Sequence, residues 1–449
     1  MNESTPGPGV IVLAAGKGTR MRSQRPKTLH EVCGKPMLAH VVDAARDAGA
    51  GSVVVVIGHG AGQVRATLDD RVSFVEQPEL LGTGDAVERC AETLHQVSRV
   101  VVLMGDAPLV TSGTIGRLLD AASNSTMVVA VNRVPDSGAF GRVRRDDAGR
   151  VCEIVEATSG EGAIVERNAG FFVFDGAWLW QNLPSVGASA SGERYLTALA
   201  AMAYEQGRHI ETVEIDTDDA IGVDDRVRLA EAESIMRRRI LERSMLAGVT
   251  IRDPATTYID ATVELEPDVA IEPGCFLRGA TRIASGTAVG PNSTVRDSTV
   301  GRDCRITQST VEDSTLGDRV EMGPFCHIRG GAVLEDDCYL GNYAEIKNSR
   351  VGRGFKMHHF SYLGDADVGP NVNYAAGAIT CNYDGVSKHR TVIGEGAFIG
   401  CDTMLVAPVR IGEQAVTAAG AVVNRDVADG ERVAGVPARL LPPRREPRS

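Results

Sequence analysis

The sequence predicts two folds in one chain: an α/β domain with a parallel sheet and, after a long helix, a parallel β-helix. In the first half of the chain apolar runs alternate with amphipathic helical segments, whereas in the second half an apolar residue recurs every six positions. Continuous apolar runs are typical of buried parallel strands, and a six-residue period is typical of β-helix coils. We therefore expect an α/β domain over 9–228, a helical linker over 229–250, a β-helix over 251–440 and a tail over 441–449.

Four apolar runs predict the strands of the α/β sheet. The runs cover residues 10–13, 53–57, 101–104 and 127–131, and helical patterns over 37–49 and 85–94 lie between them. The loop 14–21 follows the first run, and the segment 105–109 follows the third. Because ligands bind at the carboxyl ends of such strands, we expect both segments at one crevice.

The six-residue period predicts the coils of the β-helix, in which three flat sides form one coil and the apolar residue points inward. The residues that carry the period are Ile259, Leu265, Ile271, Leu277, Ile283, Val289, Val295, Leu316, Met322, Ile328, Ile393, Ile399, Leu405 and Ile411. The preceding segment 228–248 has no proline, and its only glycine is its last residue. Its apolar residues recur at three- and four-residue spacing, which predicts one long helix.

Composition excludes several classes of protein. Apolar residues make up 43% of the 449 residues and charged residues 24%, so the chain is not disordered. Its net charge of −12 argues against nucleic acid as the main partner. Nine cysteines without a C-x-x-C pair indicate reduced thiols in a cytosolic protein. No signal segment or long apolar run is present, so neither export nor a membrane span is expected.

The glycine-rich loop in "VIVLAAGKGTRM" (10–21) predicts phosphate binding. Gly16 and Gly18 permit backbone N–H groups to approach phosphate oxygens closely. Lys17, Arg20 and Lys27 add positive charge. This set suits a triphosphate attacked at its α-phosphorus, and a glycine turn with solvated basic residues is the alternative.

Asp106 follows the third predicted strand, in "GDAPL" (105–109). A carboxylate at this place suits Mg²⁺, which prefers oxygen ligands. The same sequence also favours an Asx turn, so the residue alone leaves both interpretations open.

Together these motifs resemble those of a known family. "LAAGKGTRM", Lys27, "LGTG" (81–84) and "GDAPL" are similar to the sugar-1-phosphate nucleotidyltransferases. With a hexapeptide β-helix attached, the chain resembles, over about residues 9–440, the bacterial bifunctional N-acetylglucosamine-1-phosphate uridylyltransferase/glucosamine-1-phosphate N-acetyltransferases. The resemblance implies a Rossmann-like nucleotidyltransferase domain and a left-handed β-helix that is an N-acetyltransferase domain.

The resemblance also implies the reactions. The β-helix would acetylate glucosamine-1-phosphate with acetyl-CoA, and the first domain would transfer UMP from UTP to the product, with Mg²⁺ and release of pyrophosphate. Such an enzyme lies in the cytoplasm, and its product, UDP-N-acetylglucosamine, is a precursor of the cell envelope. It is expected to be a homotrimer with acetyltransferase sites at subunit boundaries and with no nucleic-acid or membrane partner.

For uridylyl transfer, the resemblance implies that Arg20 and Lys27 act on the phosphates and that Asp106 and Asp224 bind Mg²⁺. The implied UTP and UDP-sugar site comprises Leu13, Ala14, Ala15, Gly16, Lys27, Gln77, Gly82, Thr83, Gly141, Glu156, Asn168 and Asp224. Gln77, Gly82 and Thr83 would meet uracil. The residues at 141, 156 and 168 would hold the acetylated sugar, although each is also an ordinary strand-end or turn residue.

For acetyl transfer, "HHFSYLGDADVG" (358–369) and "TCNYDGVSKHRT" (380–391) interrupt the six-residue period with polar residues. The resemblance assigns His359 as the general base, a role that suits histidine near neutral pH, and a solvated turn histidine is the alternative. The implied sugar-phosphate site comprises Arg329, Lys347, Tyr362, Asn373 and Lys388. The implied acetyl-CoA site comprises Ala376, Asn382, Tyr383, Cys401 and Ala419.

The first half departs from the family pattern at three positions. Asp224 stands where the family has an asparagine, Asp85 where a histidine is usual, and Ala198 where an aspartate is usual. These departures put the preference for sugar, nucleotide or metal in doubt. Asp224 also has an alternative role as the cap of the helix that begins near Arg226.

The second half departs in its acetyl-CoA segments. Glycine replaces proline in "IRGG", behind Arg329, and Cys401 replaces a serine. The family's late arginine is absent at 435–436, and Arg439 lies close by in the sequence. These departures put the contacts with CoA in doubt more than the reaction.

Three alternatives to the bifunctional enzyme stay open at this point. The chain could be a paralogue that performs the same reactions on another sugar or nucleotide. It could be a nucleotidyltransferase whose silent β-helix only forms the trimer. It could also be a translation-factor-like module, which shares both domain types.

Overall fold

The structure, a computed structural model, describes residues 7–68, 72–135, 141–156, 164–189 and 192–441. Residues 442–449 of the predicted tail lie outside this part of the chain. Contacts divide the chain into two units, Met1–Met236 and Arg237–Ser449. The division falls inside the segment 229–250 that we predicted as the linker.

The first unit is built on a sheet with the strand order β11-β7-β10-β6-β1-β4-β5. The strands of this unit are β1 Gly9–Leu13, β2 Glu31–Val32, β3 Lys35–Pro36, β4 Ser52–Ile57, β5 Ser73–Glu76, β6 Arg99–Met104, β7 Met127–Pro135, β8 Arg142–Arg145, β9 Val151–Val155, β10 Ile164–Asp175 and β11 Ile210–Glu214. Strands β8 and β9 form a hairpin beside β10, and β2 pairs with β3.

Helices cover both faces of this sheet. The α-helices of this unit are α1 Met37–Asp47, α2 Ala61–Thr67, α3 Thr83–Glu88, α4 Ala91–Leu94, α5 Ser112–Ala121, α6 Gly176–Asn182 and α7 Ala198–Glu205. The last helix, α8 Arg226–Leu246, begins in the first unit and ends in the second. Val10 and Val12 pack into one core with α1 and α5, whereas Ile11 packs into a second core with α6 and α7. Alternate residues of β1 are therefore buried on opposite faces, which explains its unbroken apolar run. None of the described helices is both long and apolar enough to cross a bilayer.

Three expectations about this unit need correction. The sheet is not wholly parallel, because β10 runs antiparallel between β6 and β7. The polar residues 166–168 in the first half of β10 hid this strand from a search for apolar runs. The helix expected over 85–94 is two short helices, α3 and α4. The long helix ends earlier than predicted, and Gly248 has a left-handed φ of 98° just beyond it.

The second unit consists of three stacks of short strands, which pair in parallel apart from Arg432–Ala434 and Arg439–Leu440 at the end of the first stack. Up to Val422–Val423, successive strands of the chain join successive stacks, so each coil adds one strand to each stack. The first stack contains Thr250–Ile251, Ala270–Ile271, Ala288–Val289, Arg305–Ile306, Glu321–Met322, Tyr339–Leu340, Lys356–Met357, Asn373–Tyr374, Phe398–Ile399, Val416–Thr417, Arg432–Ala434 and Arg439–Leu440. The second stack contains Tyr258–Ile259, Phe276–Arg278, Thr294–Arg296, Thr310–Glu312, His327–Arg329, Ala344–Lys347, Ser361–Gly364, Ile379–Cys381, Met404–Val406 and Val422–Val423. The third stack contains Glu264–Leu265, Arg282–Ile283, Thr299–Val300, Thr315–Leu316, Val333–Leu334, Arg350–Val351, Ala366–Val368, Thr391–Ile393 and Val409–Ile411.

The strand register confirms the six-residue period as a β-helix. Ile259 aligns with Leu277, and Leu277 aligns with Val295 in the next coil. The residues that carry the period are buried, apart from Leu265, which is half-buried because its strand begins the third stack. Each inward side chain thus packs on the equivalent side chain of neighbouring coils.

Only one of the two segments expected to interrupt the coils does so. Residues 358–369 contain the regular strands Ser361–Gly364 and Ala366–Val368, so this expectation was wrong. The register step from Asn373 to Phe398 is longer than the step before it, and the extra residues form the loop 382–390.

Four cysteines belong to the interior of the β-helix. Cys275, Cys304, Cys326 and Cys338 are buried, and each thiol donates to a carbonyl oxygen of the next coil. Burial raises the pKa of all four thiols, that of Cys338 to about 12. No disulfide joins any of the nine cysteines, all of which lie in the described part of the chain. Their role here is packing.

Candidate active sites

The loops that follow β1 and β6 meet at the carboxyl edge of the sheet. Leu13 pairs with Met104, and Gly105 N donates to Leu13 O at 2.9 Å. A Cβ on Gly105 would lie 2.9 Å from the same oxygen, so the position suits glycine. This close approach places Asp106 beside the glycine-rich loop.

A cleft of about 230 Å³ opens at this edge. It is lined by Leu13, Ala14, Ala15, Gly16, Lys27, Thr28, Val56, Gln77, Leu80, Gly82, Thr83, Ala86, Met104, Asp106, Glu193 and Tyr195. Of the residues expected to bind UTP and Mg²⁺, those at 13–16, 27, 77, 82, 83 and 106 line this cleft, whereas Arg20 and Asp224 are not among its lining residues. A Cβ on Gly16 would meet only open space, which leaves room for a ligand against its backbone.

Gly18 has a packing role that the sequence did not indicate. Its φ is 58°, and a Cβ there would lie 2.5 Å from the Cβ of Lys27. The glycine thus lets the aliphatic part of Lys27 pass against the loop, which fixes the direction of the ammonium group.

The Lys27 ammonium is shared by two carboxylates. It contacts Asp106 and lies 3.0 Å from Oδ1 of Asp224, whose Oδ2 lies 3.1 Å from Nη2 of Arg20. Only 14% of the Lys27 side chain is exposed. Burial lowers the pKa of Lys27, but Asp106 and then Asp224 raise it by more, so the ammonium stays charged. Residues far apart in the sequence thus form one charged cluster at the cleft.

The cap of α8 is Asp225 and not Asp224. Oδ1 of Asp225 accepts from Val227 N at 3.0 Å and from Arg228 N at 2.9 Å, which is the geometry of a helix cap. The alternative role that we considered for Asp224 is therefore wrong. Asp224 instead belongs to the charged cluster with Lys27 and Arg20.

The loop "LGTG" is held by the segment 193–196, which sequence reasoning missed. Gly84 N donates to Arg194 O at 2.8 Å, and Leu196 N donates to Thr83 Oγ1 at 3.0 Å. Gly82 has a φ of 103°, and a Cβ there would lie 2.5 Å from Arg194 O. Most of these contacts use backbone atoms, so no side-chain pattern could have signalled them.

The three residues expected to hold the sugar lie outside the cleft lining. Asn168 N donates to Gly141 O at 2.8 Å, so these two are neighbours. Glu156 accepts from the Thr197 hydroxyl at 2.7 Å. Ala198 is exposed at the start of α7, next to Thr197.

In the second unit, three predicted cations lie together. Arg329 and Lys347 are register partners in neighbouring coils of the second stack. Lys388 reaches them from the loop 382–390 and lowers the pKa of Lys347, because it lies within hydrogen-bonding reach of that ammonium. Arg329 pairs with Glu345 at 2.6 Å. Two adjacent ammonium groups repel each other, so an anion beside them is favoured.

Asp365 organises this cluster and was missed from the sequence. It is buried and accepts from Nδ2 of Asn348 at 2.6 Å and from Nδ2 of Asn382 at 2.5 Å. Asn382 also lies 3.4 Å from the Tyr362 hydroxyl. Burial raises the pKa of Asp365, but both amides and then Lys347 lower it by more, so the carboxylate is charged.

The loop that carries Lys388 is tied by Asp384. Its carboxylate accepts from Ser387 N and from Nε2 of His389, both at 2.7 Å. These two bonds hold the pKa of Asp384 below its usual range. Tyr383 bridges to Lys388 across the loop, and its side chain is exposed.

His359 lies in a column with three of the residues expected to bind CoA. Continued just past the ends of its strands, the register of the first stack sets His359 opposite Ala376, Ala376 opposite Cys401, and Cys401 opposite Ala419, one residue per coil. Backbone bonds from Asp402 N to Ala376 O and from Gly420 N to Cys401 O, each 2.8 Å, fix the last two of these alignments. Between the first two coils the equivalent bond runs from Gly377 N to Phe360 O, the residue after His359, also at 2.8 Å. Coils are about 4.8 Å apart, so the column runs for roughly 14 Å along one corner.

Within one chain the backbone of His359 does not lie beside that of Lys347. The histidine precedes the strand Ser361–Gly364, whereas Lys347 aligns with Gly364 at the strand's far end. The strand Ser361–Gly364 alone spans roughly 10 Å. The base and the cations therefore occupy opposite ends of one side of the coil.

Two further positions expected from the sequence are peripheral. Asn373 lies on the outward side of the first stack, between Lys356 and Phe398 of adjoining coils. Arg439 is exposed, and its Nη1 donates to Ala438 O at 3.3 Å.

Comparison with known proteins assigns a family. Residues 10–208 match the MobA-like NTP transferase domain, and residues 390–425 match the bacterial transferase hexapeptide (six repeats). The bifunctional protein GlmU of Caldanaerobacter subterraneus subsp. tengcongensis is 43% identical over 426 residues, which cover 94% of this chain and 93% of that protein. The chain belongs to the GlmU family. The GlmU of Brevibacillus brevis is 42% identical over 429 residues, 93% of each chain.

GlmU membership makes the protein a bifunctional transferase with a nucleotidyltransferase domain and a hexapeptide transferase domain. It excludes the alternative of a translation-factor-like module. Two departures from the GlmU pattern have visible consequences in the structure. Asp224 joins the Lys27 cluster, and Asp85 contacts Gln77 behind the cleft.

Proposed function

We propose that this GlmU-family protein makes UDP-N-acetylglucosamine for the cell envelope in two steps. The second domain acetylates glucosamine-1-phosphate with acetyl-CoA, and the first domain transfers UMP from UTP to the product. The observation that carries the proposal is the charged cluster of Lys27, Asp106 and Asp224 beside a cleft at the strand ends of a nucleotidyltransferase fold.

The cleft suits uridylyl transfer. The backbone of Gly16, with open space before it, binds the UTP phosphates, and the charged Lys27 and Arg20 compensate the negative charge that builds up. A phosphate oxygen of the sugar phosphate attacks the α-phosphorus. The bond from the α-phosphorus to the bridging oxygen breaks, and pyrophosphate leaves with that electron pair.

Asp106 and Asp224 fit a Mg²⁺ ion. Both carboxylates converge on one cationic group, the Lys27 ammonium, and both supply the oxygen ligands that Mg²⁺ prefers. Among the described residues no cluster of three or more His, Cys, Asp or Glu side chains could hold a metal ion alone. Two carboxylates with phosphate oxygens are a usual set for Mg²⁺, which when bound neutralises the phosphates.

The β-helix suits acetyl transfer. Lys347, Lys388 and Arg329 hold the sugar phosphate, and the column from His359 to Ala419 borders acetyl-CoA. The sugar amine attacks the thioester carbonyl, His359 takes the amine proton, and CoA leaves as the thiolate. Exposed His359 is free to approach a substrate.

A homotrimer completes the acetyltransferase site in this proposal. Since His359 and Lys347 lie at opposite ends of one coil side, a neighbouring copy would bring its own groups to the other end. Rings of identical subunits close, and a triangular coil suits threefold packing. Light scattering that gives a stable monomer at micromolar concentration would contradict this. Co-expressed His359→Ala and Lys347→Ala chains should regain acetylation if the site is shared.

One reaction mixture tests the proposed function. The protein is incubated with glucosamine-1-phosphate, acetyl-CoA, UTP and Mg²⁺, and products are identified by mass. We expect UDP-N-acetylglucosamine, CoA and pyrophosphate. Without acetyl-CoA no UDP-sugar should form until N-acetylglucosamine-1-phosphate is added. Transfer to another sugar would identify a paralogue, and transfer without acetylation would show that the β-helix is silent.

A further inference from the structure

Gln77 is a buried residue of the nucleotide cleft. It follows β5 and lines the cleft, and only 4% of the residue is exposed. Its backbone N donates to Ile57 O at 2.8 Å, which fixes the main chain. A buried amide side chain has two donors and one acceptor, and which of them faces a ligand depends on its protein partners.

Both donors of this amide are used by the protein. Nε2 of Gln77 donates to Gly82 O at 3.0 Å and to Oδ2 of Asp85 at 2.8 Å. A carbonyl oxygen and an ionised carboxylate can only accept hydrogen bonds. If the Gln77 amide turned over, its oxygen would face these two acceptors, so the observed orientation is favoured. Among the described residues no group donates to Oε1 of Gln77. Oε1 of Gln77 can therefore accept a hydrogen bond from a ligand.

Asp85 is itself held in place from behind. Arg89, one turn further along, directs Nε at 3.0 Å and Nη2 at 3.3 Å to the two carboxylate oxygens. Burial raises the pKa of Asp85, but the bonds from Arg89 and Gln77 lower it by more. Asp85 also lies in the first turn of α3, where the helix dipole favours a negative charge. The carboxylate is therefore ionised near neutral pH.

We propose that Asp85 is a positioning residue for base selection: it turns the Gln77 carbonyl oxygen toward the nucleotide, so that the cleft accepts a base with a ring N–H donor and rejects one without it. Resting on the proposed function, the inference names uracil, whose N3 carries a hydrogen, over cytosine, whose N3 is an acceptor. The two bases have almost the same size. Selection between them therefore depends on the direction of this hydrogen bond.

Direct binding tests the inference without turnover. The dissociation constants of UTP and CTP are measured by calorimetry with Mg²⁺ for the full chain, Asp85→Asn and Asp85→Ala. The asparagine amide can donate to Gln77, which lets the Gln77 side chain turn over and present its NH₂ to cytosine. We expect the CTP/UTP ratio of dissociation constants to fall by about tenfold or more, because binding of CTP no longer leaves a buried hydrogen-bonding group unpaired.

Glu92→Gln is the matched control, because it also removes an acidic charge but lies exposed on α4. It should keep the wild-type ratio. If wild type binds UTP and CTP equally, or if a folded Asp85 variant keeps the wild-type ratio, the inference is overturned. Asp85→Ala decides the matter if the asparagine variant does not fold. Failure of the proposed function gives a different result: UTP is bound selectively, yet no UDP-sugar forms.

Discussion

Asp224 and Asp225 are adjacent carboxylates with different predicted roles, and replacing each by alanine separates them. Asp224 touches Lys27 and Arg20 at the cleft, whereas Asp225 caps α8. We expect Asp224→Ala to lose uridylyl transfer and Asp225→Ala to lose stability. Each variant is the control for the other, because both remove one negative charge at neighbouring positions.

The structure sets the size of the loss in Asp224→Ala. Two unit charges about 4 Å apart at an effective dielectric of about 20 interact by about 4 kcal/mol. One third of the Asp224 side chain is exposed, at 33%, so we discount this for solvent. A remaining ~2–3 kcal/mol corresponds to a fall of about 10²-fold in kcat/KM. The Mg²⁺ concentration for half-maximal rate should rise as well, since one oxygen ligand is lost.

Asp225→Ala removes two cap hydrogen bonds and should destabilise the first unit by about 1 kcal/mol. For a unit of this size that lowers Tm by about 2–4 °C. Pyrophosphate release over a Mg²⁺ titration and thermal unfolding measure the two effects. Our reasoning is refuted if Asp224→Ala keeps wild-type transfer and Mg²⁺ dependence, or if it lowers Tm as much as Asp225→Ala.

Three further predictions concern acetyl transfer and pH. His359→Ala should slow acetylation by about 10²–10⁴-fold in a thiol-release assay while uridylyl transfer to supplied N-acetylglucosamine-1-phosphate is unchanged, and near-normal acetylation would place the base elsewhere. Asp384→Ala should free the loop of Lys388 and raise KM for glucosamine-1-phosphate more than it lowers kcat; an unchanged KM would contradict that role. Burial lowers the pKa of His40 to about 4, so the unfolded chain binds the extra proton between about pH 6.5 and 4. Stability should therefore fall toward acid by up to about 1.4 kcal/mol per pH unit, and His40→Gln should flatten this slope in urea unfolding.

The order of the folds was determined by the sequence, because both are periodic. Buried strands of the first sheet need apolar residues on both faces, and each β-helix coil needs an inward apolar residue, so local spacing predicts both. The glycine-rich loop was also predictable, since its backbone conformation depends on local glycines. The strand β10 was not predicted, because its first half is polar and its pairing partners, β6 and β7, lie far away in the sequence.

Only the tertiary structure decided which polar residues meet. Asp224 and Asp225 are indistinguishable in sequence, and the hydrogen bonds to Lys27 and to the α8 backbone separate their roles. His359 and Lys347 both match the motifs of the family, but the register of the coils places them at opposite ends of one coil side. The sequence shows Asp85 only as a departure from the family pattern, and its hydrogen bond to Gln77 is found only in the structure. Hydrogen bonds and ion pairs depend on distances between segments that are remote in the chain, and no local pattern of residues encodes those distances.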